Sequence, residues 1–110
     1  MEQKMKVGVA GSGAMGSGIA QVAAMAGHQV VIMDTNIEAL SRSRVSIEKN
    51  LHKIVEKGKL TKEQSDLIEK RIKYSHSDQD FGDCGIVIEA IIEDLEVTPE
   101  EFWAAVNYLN

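Results

Sequence analysis

At 110 residues the chain is one domain's worth and too short for a two-domain enzyme. Its 44% hydrophobic and 26% charged content predicts an ordinary packed core rather than disorder. With 12 basic against 17 acidic residues, the net charge of −5 supplies no positive field to hold a polyanion, which argues against nucleic acid as a partner.

In chain order, residues 5–10 (MKVGVA) are a short apolar run ending in glycines, the pattern of a buried parallel strand. Residues 11–18 are a glycine-rich turn, and residues 14–26, rich in Ala, Ile, Val and Met, predict a tightly packed helix closed by Gly27. Residues 29–33 (QVVIM) predict a second buried strand, ended by Asp34. Strand, glycine turn, helix and strand within about 30 residues make a βαβ unit.

Thr35 and Asn36 can cap the next helix, whose apolar stripe runs through Ile37, Leu40, Arg44, Ile47, Leu51, Ile54 and Val55. Gly58 breaks it, and residues 61–64 (TKEQ) are a capping-box candidate opening a short helix to about Arg71. Residues 72–75 predict a short strand, 77–84 a polar connection and 85–90 (GIVIEA) the next strong strand. Thr98, with Pro99 and two glutamates behind it, marks another helix start. Alternating strands and helices predict an α/β fold: a Rossmann-type, doubly wound, mostly parallel sheet with a helical hairpin after the second strand.

Residues 11–16 (GSGAMG) fit G-x-G-x-x-G, a weak pattern by itself. Here it follows a strand, opens a helix and is answered by an acid at the end of the second strand, which together specify a dinucleotide site. Gly11 permits the tight turn, Gly13 lets a pyrophosphate approach the helix amides, and Gly16 lets the helix lie close on the strand. Asp34 is placed to accept hydrogen bonds from an adenosine ribose. Its charge repels a 2′-phosphate, and Arg42 and Arg44 lie a helical turn or more beyond the strand end, so NAD is expected rather than NADP.

Those residues also resemble a family. Residues 7–21 (VGVAGSGAMGSGIAQ) are similar to the opening of the 3-hydroxyacyl-CoA dehydrogenases, including bacterial 3-hydroxybutyryl-CoA dehydrogenases. The likeness continues through 27–34 (GHQVVIMD), the helix end at 57–61 (KGKLT) and 87–97 (VIEAIIEDLEV). It implies that Gly11, Gly13, Ala14, Met15 and Gly16 form the pyrophosphate turn, that Asp34 holds the ribose, and that Ala90 and Glu93 lie near the nicotinamide half. It also implies an acyl-CoA partner in the full-length parent, touched by Asn50 and Lys57. From the residues alone, that pair is equally an asparagine and a lysine on a solvated helix face.

Two departures stand out. Where the family has a lysine after the valine of 93–97 (EDLEV), this chain has Thr98. The family's nicotinamide-side serine, catalytic histidine, its orienting glutamate and the substrate asparagine all fall beyond residue 110. The chain is therefore expected to be a single cofactor domain of residues 1–110, truncated relative to the family, without its helical substrate and dimerisation domain. Inactivity of the isolated chain follows. A stand-alone nucleotide-binding or interaction module is the alternative, and a different β-hydroxyacid or imine oxidoreductase fits the long 37–72 crossover poorly.

No residue here replaces the base such chemistry needs. His28, His52 and His76 read as surface or turn histidines, and Cys84 as a structural thiol. No His, Cys and carboxylate cluster has metal-ligand spacing. Cys84 has no partner for an internal disulfide, no run reaches membrane-spanning length, and residues 1–6 do not read as a signal peptide, so a cytoplasmic location is expected. The apolar tail 102–110 (FWAAVNYLN) is either a seam for a homo-oligomer or a helix packed on its own sheet.

Overall fold

The computed structural model describes residues 4–89. Ala90, Glu93, the Thr98 helix start and the apolar tail of 102–110 lie outside the described residues. The elements are β1 (Val7–Ala10), α1 (Ala14–Met25), β2 (Val30–Met33), α2 (Ile37–Glu56), α3 (Lys62–Lys70), β3 (Ile72–Ser75), a 3-10 turn (Asp78–Phe81) and β4 (Ile86–Glu89). Each strand of the reading is present among the described residues, starting up to two residues later than expected.

The four described strands form one parallel sheet in the order β3-β2-β1-β4. The chain steps outward from β1 to β2 to β3, then returns across β1 to place β4 on its other side. That reversal makes a topological switch point between β1 and β4, where the carboxyl ends of the strands leave a crevice for a ligand. β1 carries the glycine turn to this edge.

Register explains which side chains enter the core. Val9 lies opposite Ile32 and Ile88, and Ile32 opposite Tyr74. This row packs under Ile19, Ala20, Ala23 and Ala24 of α1 and Ile47 and Leu51 of α2. The alanines keep α1 close to the sheet, as the composition of 14–26 predicted. On the opposite face the Phe81 ring covers Gly8, where a side chain would come within 2.7 Å of it. The connection 77–84 is therefore not merely polar: its 3-10 turn supplies part of the second layer.

On α2 the buried residues are Leu40, Ser43, Ile47 and Leu51. The stripe passes through Ser43 and not through Arg44, which lies outside with its guanidinium 4.7 Å from the Tyr74 ring centroid. Ile37 is 64% exposed, so the apolar face starts a turn later than the spacing suggested. Arg71 ties the hairpin to α1 by donating from Nη1 to the Ala24 carbonyl at 2.8 Å, a cation set against a helix C-terminus. No helix of the described residues is long and apolar enough to cross a membrane.

The capping box is formed as the sequence indicated. Thr61 Oγ1 accepts from the Gln64 amide at 3.1 Å, and Gln64 Oε1 accepts from the Thr61 amide at 2.9 Å. Thr61→Ala removes one of the two bonds at an exposed helix start, and is expected to cost about 1 kcal/mol. In thermal denaturation that is a fall of roughly 4–8 °C. An unchanged melting temperature would show that the hairpin does not depend on its cap.

Candidate cofactor-binding site

The glycine turn leaves β1 through Gly11, whose amide donates to the Met33 carbonyl at 2.7 Å. With φ at 111°, Gly11 sits in the left-handed region that glycine alone enters without strain. Gly16 has a different reason. A Cβ there would stand 1.8 Å from the Gly11 carbonyl oxygen, so α1 reaches the turn only because residue 16 has no side chain. Gly13 is constrained by neither effect: its φ is −69° and a Cβ would meet nothing within 4 Å. The open space above Gly13 lies outside the protein's own packing, where an incoming group would sit.

Gly13 is the N-cap of α1, and no side chain caps the helix there. The first turn holds no acid, and the first helical bond runs from the Ser17 amide to the Gly13 carbonyl at 2.9 Å. The amides of Ala14, Met15 and Gly16 therefore precede the helical ladder, at the positive end of the helix dipole. This end of α1 is a donor set suited to an anion approaching over Gly13.

Asp34 closes the other side. Its Oδ2 accepts from the Ser12 amide at 3.0 Å and the Ser12 hydroxyl at 2.7 Å, and its Oδ1 from the Asn36 amide at 2.9 Å. Partial burial pulls the carboxyl pKa upward. The bonds from Asn36 and Ser12, with the charge of Arg42, outweigh it and leave the pKa below the ordinary carboxylate value. The group is ionised at neutral pH. The charge of Arg42, one turn into α2, is the smallest of these influences.

The other sequence candidates stand apart from the turn. Asn50 donates from Nδ2 to Gln21 Oε1 of α1 at 3.2 Å, so part of its amide already serves helix packing. Lys57 is exposed at the C-cap of α2, roughly 30 Å along the axis from Ile37. The structure joins the glycines to Asp34 and leaves this pair on the hairpin.

None of the three histidines lies in the crevice. His28 is a correction: it is 6% exposed, not a surface residue, and its Nδ1 donates to the Met5 carbonyl at 2.6 Å. The turn entering β2 folds the ring under the N-terminal end of the sheet. His52 is exposed and its Nε2 lies 3.0 Å from Glu56 Oε1. His76 lines a cleft of about 450 Å³ with Ile37, Leu40, Arg44 and Tyr74. That cleft, and a groove of about 660 Å³ between α2 and α3, contain no residue of the glycine turn. The charges lining the groove are scattered lysines and carboxylates without a converging set. Cys84 is half-buried, and burial raises its thiol pKa, as suits a structural cysteine. Among the described residues no group of His, Cys and carboxylates could hold a metal.

Sequence reasoning missed Ser12, whose two bonds to Asp34 are the turn's main polar link to β2. It also missed the buried contact between Ser17 and Ser43, whose hydroxyls lie 2.6 Å apart. The only signal was a hydroxyl residue standing between two motif glycines.

Comparison with known proteins agrees with this geometry. A family model described as "3-hydroxyacyl-CoA dehydrogenase, NAD binding domain" matches residues 6–109. A probable 3-hydroxybutyryl-CoA dehydrogenase of Deinococcus radiodurans is 47% identical over 98 residues, covering 89% of this chain and 35% of its own length. The crystal structure of 3-hydroxybutyryl-CoA dehydrogenase from Escherichia coli superposes with a TM-score of 0.78 at 41% identity, over 86% of this chain and 20% of that one. For (S)-3-hydroxybutyryl-CoA dehydrogenase from Ralstonia eutropha the TM-score is 0.79 at 36% identity, over 84% of this chain and 32% of that one.

Proposed function

The chain belongs to the 3-hydroxyacyl-CoA dehydrogenase family, matching its NAD-binding domain, and on that premise we propose that the glycine turn holds the pyrophosphate of NAD(H) while Asp34 holds the adenosine ribose. The observation that carries this is one juxtaposition at the switch point. An uncapped helix N-terminus with open space over Gly13 stands beside an ionised carboxylate held at the turn by Ser12. Anion and diol recognition are thus side by side, as a dinucleotide requires.

The chain spans about a third of the length of the curated relatives it matches. Residues 1–110 act as a single cofactor domain within a protein that interconverts 3-hydroxyacyl-CoA and 3-oxoacyl-CoA. When bound, NAD supplies the hydride acceptor for C3 of the hydroxyacyl group. This chain's residues orient that cofactor: Gly11, Gly13, Ala14, Met15 and Gly16 at the pyrophosphate, Asp34 at the ribose, Ala90 and Glu93 toward the nicotinamide half. Asn50 and Lys57 meet the CoA moiety, where an ammonium suits phosphate.

Calorimetric titration of the chain tests the cofactor reading. NADH is expected to bind with micromolar or weaker affinity, about −8 kcal/mol or less favourable, and NADPH more weakly still. Asp34→Ala should weaken NADH by about tenfold or more, since bonds to a charged acceptor are lost, and narrow the gap to NADPH. Equal affinity of the unmutated chain for the two cofactors would overturn the role of the carboxylate.

A further inference from the structure

Ser12 is 4% exposed, and each of its polar groups is engaged. Its amide and hydroxyl both donate to Asp34 Oδ2, at 3.0 and 2.7 Å. Its carbonyl accepts from the Ser17 hydroxyl at 3.1 Å. With that proton committed, the Ser17 oxygen accepts from the Ser43 hydroxyl at 2.6 Å. Ser17 and Ser43 are 7% and 2% exposed. A buried relay therefore runs from α2 through α1 to Ser12 and ends on Asp34, whose other oxygen is held by the Asn36 amide at 2.9 Å.

We propose that Ser12 is a positioning residue that determines cofactor choice, by locking the Asp34 carboxylate against the turn so that it cannot swing aside for the 2′-phosphate of NADP(H). This rests on Asp34 being the ribose acceptor. An aspartate at a strand end rejects a phosphate only if it stays where the phosphate must go. An unrestrained side chain has other staggered rotamers to retreat to. Bonds to a carboxylate are stronger than neutral ones, and Ser12 supplies two of the three that Asp34 accepts, one through its side chain. The relay through Ser17 and Ser43 keeps Ser12 itself from following a moving carboxylate.

The test is the ratio of NADH to NADPH affinity, measured by calorimetry on the full chain for the unmutated protein, Ser12→Ala, Ser12→Gly, Asp34→Ala and the Ser12→Ala/Asp34→Ala double variant. Both cofactors share the turn, so general damage to the fold moves their affinities together and leaves the ratio alone. Removing the Ser12 hydroxyl is expected to weaken NADH about threefold to tenfold and leave NADPH unchanged or tighter. Ser12→Gly, which leaves no methyl group against Asp34, should give the same ratio as Ser12→Ala. With Asp34 already replaced, Ser12→Ala should not change the ratio further. If Asp34→Ala leaves the ratio intact, the ribose reading itself fails. If Asp34→Ala collapses the ratio while both Ser12 variants preserve it, the ribose reading stands and the lock is overturned.

Discussion

Gly16→Ala is expected to abolish useful NADH binding and destabilise the domain, although it replaces a helical glycine with the best helix former. Propensity alone favours the change by about 1 kcal/mol. Against it stands the backbone contact: the new methyl carbon would lie 1.8 Å from the Gly11 carbonyl oxygen and 2.8 Å from its carbon. Neither atom belongs to a flexible side chain, and Gly11 is held in a left-handed turn with φ at 111°. The turn and α1 must separate by more than 1 Å. Overpacking of this kind costs roughly 1–3 kcal/mol, so the melting temperature should fall despite the propensity gain. The displaced amides of residues 14–16 should lose hydrogen-bond distance to the cofactor's phosphates, at a cost on the order of a hundredfold in affinity for two charge-assisted bonds.

Gly13→Ala separates the two effects. No atom stands within 4 Å of its Cβ position, so the fold should survive with only the cost of alanine as a poorer N-cap than glycine, about 1 kcal/mol or less. The methyl group would occupy the space left for the pyrophosphate, so NADH binding should fall without unfolding. Titration and thermal melting of both variants check this. Retained NADH affinity in Gly16→Ala would remove the turn from the binding site.

Residues 1–110 by themselves are expected to bind NADH and not oxidise it with acetoacetyl-CoA. Reduction of a 3-oxo group needs a proton donor within hydrogen-bond reach of the oxygen, beside a nicotinamide lying in the crevice between β1 and β4. The chain has three histidines, and the fold puts each elsewhere. His28 is beneath the opposite end of the sheet, bonded to the Met5 carbonyl. His52 is on the hairpin beside Glu56. His76 follows β3, two strands from β1 in the sheet order, a lateral distance of about 10 Å. Loss of a positioned acid–base typically costs about a hundred- to ten-thousand-fold. Unpositioned substrate removes several kcal/mol more, because effective molarities of oriented partners are so large. The rate should be near background. Sustained NADH oxidation dependent on acetoacetyl-CoA, surviving repurification, would mean that these residues carry a proton donor of another kind.

Much of the architecture was legible because its determinants are local. A turn glycine, a cap and an apolar run act on their own neighbours in the chain, so β1, α1, β2 and the Thr61 capping box could be read before any packing was known. The glycine turn is legible for the same reason: Gly11 and Gly16 act within six consecutive residues, one through its positive φ and the other through its close approach to the Gly11 carbonyl. The hairpin of α2 and α3 was readable in outline from its apolar spacing and Gly58, whose φ is 75°.

What the residues alone could not decide are contacts between distant positions. Spacing offered Arg44 as part of the α2 stripe; packing chose Ser43, because the α1 face opposite presents Ser17, and sent Arg44 out to the Tyr74 ring. Nothing near His28 in the chain announces that it will be buried, since its bond is to Met5, 23 positions away. Asp34 was recognisable as an acid at a strand end. Its orientation, its lowered pKa and its dependence on Ser12 exist only once parallel pairing sets the end of β2 beside the end of β1. Local conformation follows from local chemistry, but the direction a carboxylate faces is set by whichever donors the sheet brings to it.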